Sequence, residues 1–552
     1  MHEGKLSAQV AKIDEDDEGT IFGPEIALAL GDEDDPCSIG EALAGPEADH
    51  WAKVMKTEIT QLECLHTWEI VNPPPGANII NSGFVFHQKC DVKGNIASHK
   101  ARFIGKGYSQ VYRVDYYETF SPSVKMSSQQ VVLSHAVKED WEVPQVDIKG
   151  AYLNTKLPEK IYMKLLHNYL KLEEKGKVCC PLKGLYGVKQ AGCKWYKELS
   201  RTFIKLGLTW LEADHSVFYI HSEKPIIVIV STNDMTLAMN FLETIQQLKG
   251  NLQPHYEITD LGKLHWLLSI EVRCDRAAHT ISLSQKAYID SILKKFNLED
   301  AVPLSVPAEP GAVLGKHQSP KMTQEFKDME NVPYAQGVGK IMYYYMATGP
   351  QIGFIVQILA QFMANPGWAH WEALKWVMRY LRGVRDHWLT LGIGKEGLEG
   401  YTDLDFALQT DQHSISGYIF HFHGGAVSWS SKKQTLIALS TTEAEYIAGA
   451  HATKEAIWLH HLVAEITFLL KLPTPLFCDN NSARSLVKDN TIFHPRTKHI
   501  DIWYHFIHET VTNCQITIIY ISTHENPADI FTKALARPKF KLFCSTLGIH
   551  HV

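Results

Sequence analysis

The chain has 552 residues, 45% of them hydrophobic, which is enough for several packed cores and excludes a wholly disordered chain or a fibrous rod. Its formal net charge of −7 argues at first against a partner as anionic as nucleic acid. That average is misleading, because residues 1–50 hold 14 acidic and 2 basic side chains, whereas residues 51–210 hold 14 acidic and 23 basic ones. A basic block therefore follows an acidic N-terminal segment.

The first part of the chain predicts a disordered lead-in, a helix and a hairpin. Residues 1–40 contain two acidic runs and little that would pack, which is typical of a disordered segment. Helical spacing of apolar residues follows over 51–62, and alternating apolar residues on both sides of 91–94 predict a β-hairpin. The second hairpin strand would carry Lys100, Arg102 and Lys106.

Two buried strands that end in polar residues come next. Residues 129–138 predict a helix, and the strand after it ends at Asp147. Residues 226–239 form a run of β-branched residues with a polar break at Ser231–Asp234. Carboxylates at the ends of adjacent strands are well placed to share a metal ion.

The middle of the chain predicts a linker and a helical block. Proline-rich residues 302–315 mark the linker, and helical spacing extends over 334–382. Residues 341–369 carry no Lys, Arg, Asp or Glu and are long enough to cross a bilayer of roughly 30 Å. Gly349-Pro350 and Asn365-Pro366 interrupt this stretch, so it predicts two buried helices and no membrane span.

The last third alternates strands with helices and places four acids at informative positions. Asp403 lies on the first strand, Glu445 on a long helix, Asp479 at the end of the fourth strand and Asp529 on the last helix. Converging acids of this kind bind two Mg²⁺ ions roughly 3.5–4 Å apart in enzymes that cleave phosphodiesters. The pattern alone leaves another interpretation open, in which these acids simply face water.

The motifs around these acids resemble the ribonuclease H region of copia-type retrotransposon polyproteins. The matching segments are GYTDLD (400–405), ALSTTEAEY (438–446), CDNNSA (478–483), RTKHI (496–500) and NPADIFTK (526–533). The resemblance implies that Asp403, Glu445, Asp479 and Asp529 coordinate the metal ions that cut RNA in an RNA–DNA hybrid.

The resemblance extends upstream to the reverse transcriptase of the same elements and covers about nine tenths of the chain. It is carried by KARFIGKGYSQ (100–110), TFSP (119–122), VDIKGAYLN (146–154) and LYGVKQA (185–191). The implied fold class is α+β, a right hand of fingers, palm and thumb followed by a connection and an α/β ribonuclease H-like domain. The expected boundaries are 1–40 for the lead-in, 41–300 for the reverse transcriptase, 301–395 for linker and connection, and 396–552 for the ribonuclease H-like domain.

The resemblance also implies roles in nucleotide transfer. Asp147, Asn233 and Asp234 occupy the palm positions, of which Asp147 and Asp234 would hold metal, as two Mg²⁺ ions or Mn²⁺ in their place. Lys100, Arg102, Tyr152 and Gln190 match nucleotide-binding positions, although Lys100 and Arg102 would also suit a solvated strand face. The implied partners are an RNA template, an RNA–DNA hybrid and deoxynucleoside triphosphates.

The chain departs from the family at the palm turn. The family has Tyr-Val-Asp-Asp, whereas this chain has Ser231-Thr232-Asn233-Asp234. An amide cannot balance the charge of two divalent cations, so we expect the polymerase to be impaired and the ribonuclease H to be retained, as in a truncated or decayed copy. Two alternatives stay open: a non-catalytic nucleic-acid-binding relic or domesticated protein, and an active polymerase that tolerates Asn233.

The N-terminus and the cysteines predict an intracellular protein, cytoplasmic or nuclear. The first 20 residues lack the apolar core of a signal peptide. The ten cysteines show no C-x-x-C pair, which favours free thiols over a disulfide framework or a zinc site.

Overall fold

The structure is a computed structural model, and several of the predicted features lie outside the part of the chain that it describes. The described residues are 35–90, 96–165, 176–311, 313–405, 413–435, 441–467, 473–479 and 501–551. The first 34 residues of the predicted lead-in, the hairpin turn at 91–94 and the RTKHI motif fall outside them. The chain forms two compact units, one of residues 1–123 and 150–198, the other of residues 124–149 and 199–552. The predicted domain boundaries stay predictions.

In its described residues, the first unit contains two α-helices, a four-stranded sheet and a hairpin. The helices are α1 (Ile39–Ala44) and α2 (Ala48–Cys64). The strands are β1 (Trp68–Val71), β2 (Ile79–Ile80), β3 (Ser82–Cys90), β4 (Ile96–Gly105), β6 (Tyr162–Met163) and β7 (Val178–Pro181). The sheet has the order β1-β7-β6-β2, and β3 pairs with β4 in antiparallel register.

Helix α2 and the β3–β4 hairpin confirm the predictions made for this part of the chain. Trp51, Met55, Ile59 and Leu62 are all buried, as their helical spacing requires. The Trp51 ring packs edge-on against Phe86 of β3 at 5.1 Å between centroids. This apolar contact holds the helix on the hairpin.

The second unit contains most of the helices and three larger sheets. Its helices are α3 (Met126–Lys138), α5 (Leu242–Leu252), α6 (Lys286–Lys295), α7 (Thr323–Glu330), α8 (Tyr334–Ala347), α9 (Gly353–Ala360), α10 (Trp368–Val384), α11 (Thr441–Thr467), α12 (Asp501–Thr512) and α13 (Arg537–Thr546). A further helix, α4 (Ala191–Lys205), begins in the first unit and ends in the second.

The strands of the second unit are β5 (Pro144–Ile148), β8 (Thr209–Trp210), β9 (Val217–Ile220), β10 (Ile226–Ser231), β11 (Asp234–Met239), β12 (Ile258–Lys263), β13 (Trp266–Leu267), β14 (Ile270–Asp275), β15 (Thr280–Ser284), β16 (His387–Leu391), β17 (Leu398–Asp405), β18 (Ile415–Phe422), β19 (Gly425–Lys433), β20 (Thr474–Cys478), β21 (Ile516–Tyr520) and β22 (Ile549–His551). They form sheets in the orders β12-β5-β11-β10-β9-β8, β13-β14-β15-β16-β22 and β19-β18-β17-β20-β21. In the last sheet β17, β20 and β21 are parallel neighbours.

The uncharged stretch in the middle of the chain forms packed helices, as predicted. Helices α8 and α9 are separated at Gly349 by a 3-10 turn over Pro350–Ile352. Ile341, Tyr344, Ile355 and Leu359 are buried in one core that also includes α3 and the β17–β18 sheet. No helix in the described part of the chain is long and apolar enough to span a membrane.

One prediction about the last third is wrong. Asp529 does not lie on the last helix but on a 3-10 turn, Pro527–Phe531, and the last helix is α13. Proline suits the first position of either kind of helix, so the sequence pattern does not distinguish them. The change matters because the turn lies directly on β17 and β18.

Candidate active sites

Two groups of acids lie in the second unit, and the first is at the turn between β10 and β11. Asp147 of β5 and Asp234 of β11 are directly opposite each other in antiparallel register. The backbone N–H of Ile148 donates to the carbonyl oxygen of Asn233 at 2.8 Å, which fixes the turn beside β5. Both acids are half-buried. The structure therefore brings Asp147, Asn233 and Asp234 together, as predicted.

The side chain of Asn233 is engaged with one of these acids. Its amide nitrogen donates a hydrogen bond to Asp147 Oδ1. A carboxylate only accepts hydrogen bonds, so the amide must present its NH₂ group there and turn its carbonyl oxygen away. In this arrangement Asn233 places a donor against the carboxylate that a metal ion would contact.

The second group of acids comes from two parallel strands and a turn. Thr402 of β17 is in register with Cys478 of β20, so Asp403 and Asp479 follow at the same edge of the sheet. Asp529 reaches this edge from the 3-10 turn. One carboxylate oxygen from each of the three acids lies within 4.8 Å of those of the others. Asp403 and Asp529 are 3% and 0% exposed, and Asp479 is half-buried.

The turn that carries Asp529 is held against the sheet by Asn526 and Gly417. The Asn526 amide donates to the carbonyl oxygen of Thr402 at 3.0 Å, and its side-chain oxygen accepts from the N–H of Ala528 at 3.2 Å. Gly417 of β18 is opposite Asp403, and a Cβ there would lie 2.8 Å from Phe531 Cβ. A glycine is needed at this position because any side chain would displace the turn.

Cationic and hydroxyl groups surround the two buried acids. Lys533 Nζ lies 2.8 Å from Asp529 Oδ1 and 3.6 Å from Asp403 Oδ2, and Lys539 Nζ donates to Asp529 Oδ2. The Thr532 hydroxyl donates to Asp403 Oδ2. Burial raises the pKa of Asp403 well above its usual range, the Lys533 charge opposes that rise, and the Asp529 charge adds to it. These carboxylates are oxygen ligands of the kind that Mg²⁺ prefers.

Glu445, the fourth predicted ligand, lies outside this 4.8 Å group. It is half-buried on α11, two residues after the buried Glu443. Among the described residues, the acids that converge at the sheet edge are therefore Asp403, Asp479 and Asp529.

Three of the predicted nucleotide-binding residues lie on or near a pair of contacting tyrosine rings in the first unit. The guanidinium of Arg102 lies over the Tyr186 ring at 4.4 Å, and that ring is 4.8 Å from the Tyr152 ring. Lys100 is exposed, two residues before Arg102 on β4. A cation held over an aromatic face is pre-oriented and remains available to an anionic ligand.

Gln190 is fully buried and joins two loops of the first unit. Its amide donates to the carbonyl oxygen of Asp115 at 2.9 Å, and its oxygen accepts from the Gln110 amide at 3.1 Å. These bonds fix the loop that follows β4 against the turn before α4. Its assignment as a nucleotide-binding residue stays a prediction.

Sequence reasoning missed Thr532, Lys533 and Lys539. The first two are three and four residues after Asp529, the spacing at which side chains on one helical turn meet. The NPADIFTK motif shows this spacing, so the sequence contained a signal that Thr532 and Lys533 could lie beside Asp529. Lys539 is ten residues beyond Asp529, and only the tertiary fold brings it there.

Comparison with known proteins matches the chain to transposon Pol polyproteins over most of its length. The family model "Reverse transcriptase (RNA-dependent DNA polymerase)" matches residues 65–310. The Retrovirus-related Pol polyprotein from transposon TNT 1-94 of Nicotiana tabacum is 38% identical over 95% of this chain, and that from transposon RE1 of Arabidopsis thaliana is 34% identical over 96%. The chain spans 40% and 35% of the length of these two relatives.

Solved structures show a weaker likeness. A foamy viral protease–reverse transcriptase in complex with double-stranded DNA aligns with a TM-score of 0.45 and 10% identity, over 85% of this chain and 69% of that one. The family comparison therefore rests on the sequence relatives and not on these structures. Over most of its length the chain is similar to Pol polyproteins of copia-type retrotransposons, and residues 65–310 match the reverse transcriptase family model.

Proposed function

We propose that this protein is a divalent-metal-dependent ribonuclease H, which cleaves RNA in RNA–DNA hybrids, on a reverse transcriptase scaffold whose polymerase site is impaired. The observation that carries the proposal is the convergence of Asp403, Asp479 and Asp529 within 4.8 Å. Three carboxylates at such distances repel one another unless cations lie among them; Lys533 and Lys539 offset two of these charges, and a bound divalent ion would offset the third. Mg²⁺ fits this ligand set, and Mn²⁺ is an acceptable substitute.

The burial of the acids indicates from which side a substrate would reach the site. Asp403 and Asp529 are buried while Asp479 is half-buried, so the substrate phosphate would approach from the Asp479 side. A bound Mg²⁺ would supply an activated water and stabilise the charge that develops on the phosphate. Asp403 and Asp479 would hold it from the two strands, and the 3-10 turn would supply the Asp529 oxygen.

The contacts of Asn233 support the proposal that the polymerase site is impaired. The amide of Asn233 donates to Asp147, which places a hydrogen-bond donor where an adjacent carboxylate would bring negative charge. Losing one metal-binding charge is expected to cost several kcal/mol of barrier, and each 1.36 kcal/mol is tenfold in rate. We therefore expect DNA synthesis on an RNA template from deoxynucleoside triphosphates to be lost or very slow.

Hybrid cleavage tests the proposal directly. The full chain is incubated with a labelled RNA–DNA hybrid and Mg²⁺, beside Asp479→Asn and the surface control Asp328→Asn. Asp328 is exposed on α7 and accepts from Gln324, far in sequence from the cluster. We expect cleavage that falls by about 100-fold or more in Asp479→Asn and is unchanged in Asp328→Asn. No cleavage by the natural chain, or equal loss in both variants, would contradict the proposal.

One observation favours a second function, that of a non-catalytic nucleic-acid-binding protein. Lys533 and Lys539 both neutralise Asp529, so the cluster is partly charge-balanced by the protein itself. The basic excess over residues 51–210 would then bind phosphates without chemistry. Hybrid binding that weakens with salt, with no cleavage in Mg²⁺ or Mn²⁺, would support this function over the first.

A further inference from the structure

Lys533 bridges the two most buried acids of the cluster. Its ammonium nitrogen is 2.8 Å from Asp529 Oδ1 and 3.6 Å from Asp403 Oδ2. The Asp403 and Asp529 side chains are almost completely buried, whereas the Lys533 side chain is 32% exposed. The ammonium group therefore lies between two predicted metal ligands.

Lys539 contacts the same acid but in a different way. It donates to Asp529 Oδ2 and also to the carbonyl oxygen of Thr523 at 3.1 Å, so it ties the turn to the preceding loop. Asp529 Oδ1 is fully buried and, from the described residues, accepts no hydrogen bond of normal geometry despite the nearby Lys533. Lys533 thus acts there as a charge rather than as an aligned donor, and the oxygen keeps a lone pair for another ligand.

The charges in the cluster set how many metal ions it can take. Three carboxylates and two ammonium groups leave a net charge of −1. With one divalent cation the net charge would be +1, whereas with two it would be +3 in a partly buried cluster. A buried excess of charge of either sign is unfavourable.

We propose that Lys533 takes the place of the second metal ion in the nuclease site, so that the site binds one divalent cation and the ammonium group supplies the other positive charge. This inference rests on the proposed function and specifies its cofactor. Lys533 is then a positioning residue, which holds Asp529 and Asp403 at the correct spacing around a single ion.

Counting bound Mn²⁺ tests this inference without relying on turnover. Free Mn²⁺ is measured by electron paramagnetic resonance in the presence of a hybrid whose RNA carries 2′-O-methyl groups and resists cleavage, with the hybrid alone as the blank. All chains carry Asp147→Asn, so that the palm adds no ion. We expect one Mn²⁺ per chain with Lys533, two with Lys533→Gln, and one with Lys533→Arg, which keeps the charge.

Cleavage gives the second readout. With Lys533→Gln we expect hybrid cleavage to fall by about tenfold or more at low Mg²⁺ and to recover at high Mg²⁺, with a steeper dependence on concentration. Two Mn²⁺ ions in chains that retain Lys533, or a single ion in a folded Lys533→Gln chain, would overturn the inference. If the natural chain cleaves no hybrid, the proposed function fails, yet the Mn²⁺ count still decides the role of Lys533.

Discussion

The two acidic sites of the second unit differ in burial and in what neutralises them. Asp147 and Asp234 are half-buried, and Asp147 accepts from a neutral amide. Asp529 is fully buried and contacts two lysines. Replacing Asp529 would leave Lys539 without its carboxylate partner and Lys533 with Asp403 alone. We therefore expect the fold to depend more on Asp529 than on the half-buried acids of the palm.

The largest effect we expect comes from restoring the palm acid. Asn233→Asp removes the amide donor from Asp147 and returns the missing negative charge, so primer extension on an RNA template should rise by about 100-fold or more. The assay is extension of a labelled DNA primer with Mg²⁺ and all four deoxynucleoside triphosphates.

Asn233→Ala is the matched control for that prediction. It also removes the amide that donates to Asp147 but adds no charge, so it should not restore extension. Equal recovery of primer extension in both variants would mean that the amide blocks the site sterically. Efficient extension by the natural chain would contradict the inference that Asn233 impairs the palm site.

Acidification should affect both sites together, because they share one core. His135 lies on α3, which leads to β5 and Asp147, and His423 follows β18, which pairs with β17 and Asp403. Burial lowers the pKa of each histidine to about 4. Between pH 6.5 and 4 the unfolded chain binds protons that the folded chain does not, so the stability present above pH 6.5 is lost as pH falls, by up to about 3 kcal/mol for each histidine.

Urea unfolding as a function of pH measures this effect. His423→Gln should flatten the loss of stability between pH 6.5 and 4, and the exposed control His317→Gln should not. Separate unfolding transitions near the two sites would show that they do not share a core.

A smaller effect is expected at Gly417, which lets the turn with Asp529 approach the sheet. A Cβ at this position would lie 2.8 Å from Phe531 Cβ and 2.9 Å from Thr532 Cγ2. Gly417→Ala should therefore lower the free energy of unfolding by about 1–3 kcal/mol and weaken Mn²⁺ binding at the cluster, with no effect on the palm.

Gly339→Ala is the control, because no atom lies within 4 Å of a Cβ there and alanine favours the helix α8. The two variants are compared by urea unfolding and by Mn²⁺ titration. Unchanged Mn²⁺ binding in a destabilised Gly417→Ala chain would separate the turn from the metal site.

The sequence predicted the elements that position the acids but not the contacts around them. The β-branched run in β10, the strand-end positions of Asp147 and Asp479 and the position of Asp403 on its strand follow from local sequence patterns. The 3-10 turn at Asp529 was mistaken for a helix because Pro527 suits the start of both. The bridge from Lys533 to Asp403 depends on a tertiary contact across 130 positions of sequence, which no local pattern encodes.

The most direct test of the central claim follows both activities in one reaction. An RNA template annealed to a DNA primer is labelled on both strands and incubated with the natural chain, Mg²⁺ and all four deoxynucleoside triphosphates. We predict that the RNA label shortens while the DNA label keeps its length, because the three-carboxylate cluster is intact and the palm lacks one charge. A DNA label that lengthens while the RNA stays whole would contradict this account.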